Sequence, residues 1–254
     1  MSKDFYIYGK HVITETLKNK PETLKRIYIK ESGKQSGYDE IRVLAKRKGV
    51  LVSDASEKQI KQWLGDTVSH QGVVALSKPF DYETLDNYLK TVTEDSLQTV
   101  LILDHIQDVS NVGAMVRSAA GLGVNAIIVS ELHQAPVTSA VFKTSAGTVG
   151  KIPIIQIGNI NQCIETLKRN KFWIVGLSSH DQSGKESTKL WNYQFDAHSA
   201  IVIGNEANGI REKTMEHCDT LLQIPMENNV ESLNASVTAG IVCYEVMRQR
   251  KEKK

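Results

Sequence analysis

Ile201-Val202-Ile203-Gly204-Asn205-Glu206-Ala207-Asn208-Gly209, then Leu221-Leu222-Gln223-Ile224-Pro225-Met226, then Glu231-Ser232-Leu233-Asn234-Ala235-Ser236: these pieces of residues 201–236 decide the fold. Twice a short run of Val, Ile and Leu, the composition of a strand buried on both faces, stops at a Gly or a Pro. Each stop is followed by a loop carrying small polar residues and at least one acid. Ligands of α/β proteins sit beyond the carboxyl ends of parallel strands, so two such loops, close in sequence, predict one pocket built largely from backbone.

The same rhythm extends backwards to Gln98. Val100-Leu101-Ile102-Leu103 reads as a strand, Ala114 to Leu122 as a helix, and Ala126-Ile127-Ile128-Val129 as the next strand. Thr138 to Ala146 reads as helical. Ile152 to Ile157 and Trp173 to Leu177 read as strands on either side of a helix from Ile160 to Arg169. A last helix runs from Ala235 to about Arg250. This alternation predicts a mostly parallel sheet covered on both faces.

The front of the chain is a smaller α/β unit. Val12 to Leu17 carries a helical face and Leu24 to Ile29 reads as a strand. Gly37 to Lys48 is an amphipathic helix ended by Gly49, and Val50-Leu51-Val52 a short strand. Ser56 is a suitable cap for a helix reaching Leu64, and Val73-Val74-Ala75-Leu76 closes the set as a strand. Lys78 to Leu97 is polar, with Pro79 near its start. The expected division is therefore a first domain at 1–77, a linker or linker helix at 78–97 and a second domain at 98–254.

Composition narrows the class. The 254 residues are 41% hydrophobic and 24% charged, as in an ordinary globular protein. The longest apolar runs fall far short of the roughly 20 residues needed to cross a bilayer. Met1-Ser2-Lys3-Asp4 leads into no hydrophobic signal core, so the expectation is a cytoplasmic protein without a membrane partner. Cys163, Cys218 and Cys243 are odd in number and widely spaced, which suits neither a disulfide frame nor a metal site. Cys218 and Cys243 read as small core hydrophobes.

The net charge of +2 conceals a gradient: residues 1–80 hold 15 basic against 9 acidic side chains, and the last seven residues 5 against 1. The stretch between them is correspondingly acidic. A basic front joined to an acidic body suits a protein of which one part touches a polyanion, although solvated lysine faces leave the same imprint.

Three polar constellations carry the chemistry. In the first, Asp104-His105-Ile106-Gln107-Asp108-Val109-Ser110-Asn111-Val112-Gly113 follows a strand and opens a helix carrying Arg117. Amides at a helix start cradle anions, and Asn111 is a good cap. The Gly-x-Gly-x-x-Gly of a dinucleotide site is missing, which argues against a nicotinamide enzyme. The others are Gly204-x-Glu206-x-x-Gly209, and Ile224-Pro225-Met226 with Ser232-Leu233-Asn234-x-Ser236. Each alone has a structural explanation: capping for Asn111 and Asn234, a surface ion pair for Arg117, positive φ for the glycines. The information lies in the ordered set.

With these motifs the chain resembles the SpoU (TrmH) family of RNA ribose 2'-O-methyltransferases over roughly residues 99–250. Tyr8-Gly9-Lys10-His11-Val12 through Leu17 and His70-Gln71-Gly72-Val73-Val74-Ala75 resemble the RNA-binding domain of its large-subunit rRNA guanosine branch. That domain has a ribosomal-protein-like α/β fold. Val109 and Ala235 depart from the family pattern, which often has proline and valine there. The resemblance implies a trefoil knot in the second domain, S-adenosylmethionine as cofactor, and methylation of a guanosine 2'-hydroxyl in 23S ribosomal RNA. It also implies a homodimer through the last helix and no metal. Arg117 is the residue the family assigns as base. Guanidinium, with its pKa above about 12, better holds an RNA phosphate and stabilises a developing alkoxide. Glu206 or a phosphate oxygen would orient it, and Asn111, Ser232 and Asn234 would hydrogen-bond the ribose and fix the loops. Gly204, Ile224 and Leu233 would present main-chain groups to the cofactor. Two other readings share the motifs: a transfer-RNA ribose methyltransferase, and an RNA-binding ribosome assembly factor without catalysis. Tyr6, Tyr8, Tyr38, His11 and His70 are candidates for contacts to RNA or for the packing of the first domain.

Overall fold

The computed structural model describes residues 5–31, 38–93, 95–178 and 187–252, and divides into two compact units. One comprises Met1–Asp81 with Val137–Lys151, the other Tyr82–Pro136 with Ile152–Lys254.

The first unit opens with strand β1 (Phe5–Tyr8) and helix α1 (Lys10–Asn19), which buries Val12, Ile13 and Leu17. Then come β2 (Leu24–Lys30), α2 (Asp39–Arg47), β3 (Val52–Ala55), α3 (Glu57–Leu64) and β4 (Val73–Ser77). The strands pair in the order β1-β4-β2-β3, with β2 and β3 parallel and the other pairs antiparallel. Helix α3 starts as its sequence demands: the Ser56 hydroxyl accepts from Gln59 N while Ser56 N donates to Gln59 Oε1, a reciprocal cap. The short strand expected at Val50 begins two residues later. Pairing with β2 starts at Ile27 opposite Val52, which leaves Leu51 60% exposed. Gly37, where α2 was expected to begin, lies outside the described residues. Tyr6 stacks on Trp63, with ring centroids 5.4 Å apart, and Tyr38 is buried, so these two aromatics serve packing.

The second unit contains α4 (Leu85–Leu89), β5 (Thr99–Asp104), α5 (Val109–Gly121) and β6 (Ala126–Ser130). Helix α6 (Ser139–Thr144) belongs to the first unit. Next are β7 (Ile154–Ile157), α7 (Ile160–Arg169), β8 (Phe172–Leu177), β9 (Ser187–Lys189) and β10 (His198–Gly204). The chain closes with α8 (Glu212–Glu216), β11 (Thr220–Gln223) and α9 (Ala235–Glu252). The seven strands lie in the order β7-β6-β5-β10-β8-β11-β9, and every pair is parallel, as the Val/Ile/Leu runs predict. One face packs Val100, Ile102, Ala200 and Val202 against Ile160, Ile164 and Leu167 of α7. On the alternate positions, Leu101, Leu103, Ile201 and Ile203 are equally buried. Side chains buried on both faces explain why these runs show no polar alternation.

Around this sheet Cys163, Cys218 and Cys243 are buried and in no disulfide, and burial pushes the thiols of Cys163 and Cys243 up to about 12. They act as apolar packing. Helix α9 is tied down at its far end. Gln249 accepts from Phe195 N at 2.9 Å and donates to Tyr193 O at 2.8 Å. Arg250 donates to Leu97 O and Gln98 O at 3.0 and 3.1 Å. The last helix is thereby fastened to the start of β5, at the centre of the sheet. Tyr88 of α4 is 5% exposed and joins the same core.

Candidate functional site

The carboxyl ends of β5 and β10 lie side by side, with Asp104 in register opposite Gly204. At that edge the chain after Gly204 doubles back. Asn205 N donates to Gly209 O at 3.1 Å, and Gly209 N returns to Asn205 O at 2.9 Å. The Asn205 side chain accepts from Ala207 N and Asn208 N, at 3.0 and 2.8 Å. A Cβ on Gly204 would lie 2.0 Å from the carbonyl carbon of Gly209 and 2.1 Å from Ile210 N. Only glycine lets the loop close so tightly over the strand end. The result is a rigid loop that presents Glu206.

Beneath it lies a cleft of about 410 Å³. Gly204, Glu206, Ile224, Ser232 and Leu233, all singled out by sequence, line it, with Met226 and Ile203 among the apolar walls. Two strand ends and the segment leading into α9 therefore form one pocket.

Asn111 and Asn234 stand outside the lining but are joined to it. Asn111 Nδ2 donates to Glu206 Oε1, and Asn111 Oδ1 accepts from Asn234 Nδ2 at 3.0 Å. Asn234 Oδ1 then accepts from Ser236 N at 2.8 Å and Ser236 Oγ at 2.6 Å. A continuous hydrogen-bonded chain thus links all three motifs. Asn111 is not the helix cap. Helix α5 begins at Val109, five residues before the expected start, and Asp108 caps it by accepting from Ser110 N at 2.7 Å. This frees both ends of the Asn111 amide to bridge Glu206 and Asn234, and Asn111 is 8% exposed.

Arg117 is placed differently from these. The early start of α5 puts it in the third turn of the helix, where it is exposed and outside the lining of the cleft. Among the described residues no carboxylate forms an ion pair with it, and Glu206 is engaged by Asn111 instead. Its neighbours Ala114 and Ser118 belong to an apolar surface shared with Ser236, Val237, Gly240, Ile241 and Tyr244 of α9. Val237, Ile241 and Tyr244 there are 48%, 37% and 54% exposed.

The sequence reading missed the support under the cleft. Asp104 is fully buried; its carboxylate accepts from Arg211 N at 3.1 Å and Arg211 Nε at 2.9 Å, and pairs with His105 Nδ1 at 2.7 Å. A charge so placed needs such partners. Arg211 follows Ile210, so this bond fixes the far end of the Glu206 loop to β5. The signal was there, an acid closing an otherwise apolar strand. Its partner, over a hundred residues away, was not legible. Among the described residues no three His, Cys, Asp or Glu side chains converge as a metal site, and no helix is long and apolar enough to cross a membrane.

Residues 98–244 match the SpoU rRNA Methylase family, and residues 6–83 match the domain described as RNA 2'-O ribose methyltransferase substrate binding. The chain belongs to the SpoU rRNA methylase family. A curated relative is the 23S rRNA (guanosine-2'-O-)-methyltransferase RlmB of Xanthomonas axonopodis pv. citri, 33% identical, with 96% of each chain covered. Another, from Staphylococcus aureus, is assigned to the TrmH family of tRNA/rRNA methyltransferases; it is 34% identical, covering 98% of this chain and 97% of its own. Among solved structures, AviRb of Streptomyces viridochromogenes, in complex with the cofactor AdoMet, superposes with a TM-score of 0.76 at 21% identity. That match covers 98% of this chain and 91% of AviRb. An AdoMet-bound rRNA methyltransferase of Sinorhizobium meliloti gives 0.76 at 20% identity, over 97% and 88% of the two chains. The SpoU fold expected from the motifs is therefore present along nearly the whole chain, with the substrate-binding domain in front.

Proposed function

We propose that this SpoU methylase transfers a methyl group from S-adenosylmethionine to the ribose 2'-hydroxyl of a guanosine in 23S ribosomal RNA, in the cytoplasm. The observation that carries the proposal is the hydrogen-bonded chain Glu206–Asn111–Asn234–Ser236 on the rim of the cleft. It holds the three family motifs in one place. The RlmB relative, matched end to end, supports the choice of substrate.

The cleft fits the cofactor by size and by chemistry. At about 410 Å³ it suits a nucleoside-sized ligand. Its floor at Gly204 is backbone, so main-chain groups of Gly204, Ile224 and Leu233 would hold the adenosine and methionine parts. S-adenosylmethionine, when bound, supplies the electrophilic methyl group. The transfer would form an O–C bond at the ribose and break the S–C bond, leaving S-adenosylhomocysteine, with the hydroxyl proton passing to solvent water. In such an in-line displacement positioning dominates the rate. Ser232 and Glu206 in the cleft lining, Asn111, which donates to Glu206, and Asn234, which donates to Asn111, would orient the ribose. Arg117 binds the adjoining RNA phosphate and stabilises the developing alkoxide.

The enzyme acts as a homodimer through α5 and α9. Three large apolar side chains on one exposed face support this, and Arg117 borders that face, where a second copy can bring it towards a cleft. The trefoil knot of the family is supported by the path of the chain after β11. That strand lies beyond β8, yet Asn234 returns to Asn111, across the ends of β8 and β10. Residues 1–77 serve as the RNA-binding domain, 78–97 as the linker and 98–254 as the methyltransferase domain.

The test is to incubate the protein with labelled S-adenosylmethionine and total RNA from a strain lacking the gene, then map the label. A 2'-O-methylguanosine in 23S rRNA is the expected product. Label on transfer RNA alone, or none at all, would refute the assignment.

A further inference from the structure

The first unit holds a second concavity, of about 560 Å³, which includes Lys10, Lys30, Tyr38, Glu57, His70 and Gln71. Its polar groups can be assigned one by one. Gly72 N donates to His70 Nδ1 at 3.1 Å, so the neutral ring carries its proton on Nε2, which faces Glu57 Oε1 at 3.3 Å. The other oxygen of Glu57 takes Lys30 Nζ at 2.8 Å. The one carboxylate of the pocket is therefore spoken for by Lys30 and His70. Lys10 is left: its ammonium lies 4.3 Å from the centroid of the Tyr38 ring, and no carboxylate among the described residues forms an ion pair with it.

Lys10 is held where it stands. Its backbone N–H donates to Gln71 Oε1 at 3.1 Å, and Tyr38 Oη donates to Gln71 O at 3.3 Å. The loop approaches so closely that a Cβ on Gly72, at φ 72°, would fall 2.2 Å from Tyr38 Oη. A buried ring beneath the ammonium and a strained loop beside it, with Gln71 at φ 54°, hold the charge in the lining of the cavity.

We propose that this pocket is a site for a backbone phosphate of the RNA substrate, held by Lys10. The assignment rests on the methyltransferase reading above. The occupant is a phosphate rather than a base. The Tyr38 face is covered by Lys10 and cannot stack a nucleobase, and the Gly72 amide, the His70 ring and the neighbouring Lys143 ammonium are already paired within the protein. What remains is one positioned positive charge, the feature that anchors a nucleic acid without reading its sequence.

The experiment measures binding of full-length protein to 23S rRNA transcript over a series of KCl concentrations. Lys10→Gln should weaken binding about tenfold and lower the log–log salt slope by ~0.7 to 0.9, the value of one lost phosphate contact. Lys10→Arg should restore both. Affinity for S-adenosylmethionine and the rate at saturating RNA should not move. Unchanged affinity and slope in Lys10→Gln overturn the site while leaving the methyltransferase reading intact; a wild-type protein that binds and methylates no RNA overturns both. Should Lys10→Gln fail to fold, lysine acetylation of the unmutated protein decides: Lys10 must be shielded when transcript is present, and equal labelling with and without RNA refutes the site.

Discussion

Asn234 donates its side-chain amide to Asn111 Oδ1 at 3.0 Å, although 123 residues separate them in the chain. The bond joins the start of α9 to the start of α5. Because Asn111 passes the connection on to Glu206, one side chain governs the geometry of all three loops. Asn111→Ala removes two hydrogen bonds, one of them to a carboxylate. At ~1.5 to 3 kcal/mol for a charge-assisted bond, methyl transfer should fall by about ten- to a hundredfold. S-adenosylmethionine affinity, measured by calorimetry, should change much less. Equal losses in both would mean that Asn111 merely shapes the cofactor cleft.

Gly204→Ala should be more damaging than its size suggests. The added Cβ meets the backbone of Gly209 and Ile210 at 2.0 and 2.1 Å, and backbone cannot swing aside as a flexible side chain can. The loop must open, at a cost of about 2 to 4 kcal/mol. Loss of cofactor binding by calorimetry, with a lowered melting temperature, is the expected outcome. Wild-type affinity would show that the Glu206 loop does not shape the cofactor site.

Arg117→Ala should reduce methyl transfer by about two to three orders of magnitude, the usual consequence of losing one oxyanion-stabilising group. Cofactor affinity and melting temperature should hold, since the side chain is exposed and outside the cleft lining. A variant that methylates 23S rRNA at the wild-type rate would rule the residue out of the reaction.

The exposed face of α9 supplies a further test. Ile241→Glu places a charge among Val237, Tyr244 and the α5 side chains, on a helix otherwise tied to the sheet. Light scattering should show a monomer in place of a dimer, with activity lost in step. Mixing that monomer with Arg117→Ala protein should restore no more than a trace of activity. Wild-type protein that elutes as a monomer would refute the dimer.

The sheet was legible because its strands are buried on both faces, and uninterrupted Val, Ile and Leu at 100–103 and 201–203 have few other uses. Short edge elements left no such trace. Strand β9, three residues long, and β1 were not anticipated. The start of α5 was misjudged because Asp108 and Asn111 are both plausible caps. The choice was made by Glu206 and Asn234, which claim the Asn111 amide. Gly204, Ile224 and Leu233 could be placed in the cleft beforehand because ordered motifs survive as local sequence. The Asp104–Arg211 pair could not, since a long-range ion pair has no local signature.

The bonds that assemble the cleft also set when in the life of the chain it can exist. Glu206 reaches back 95 residues to Asn111, and the residue that completes the rim, Asn234, lies at the threshold of α9. During translation the front unit can fold and meet RNA well before these partners leave the ribosome. Contacts this distant in sequence form late and slowly. A nascent chain stalled before residue 234 should hold its substrate yet have no means of modifying it.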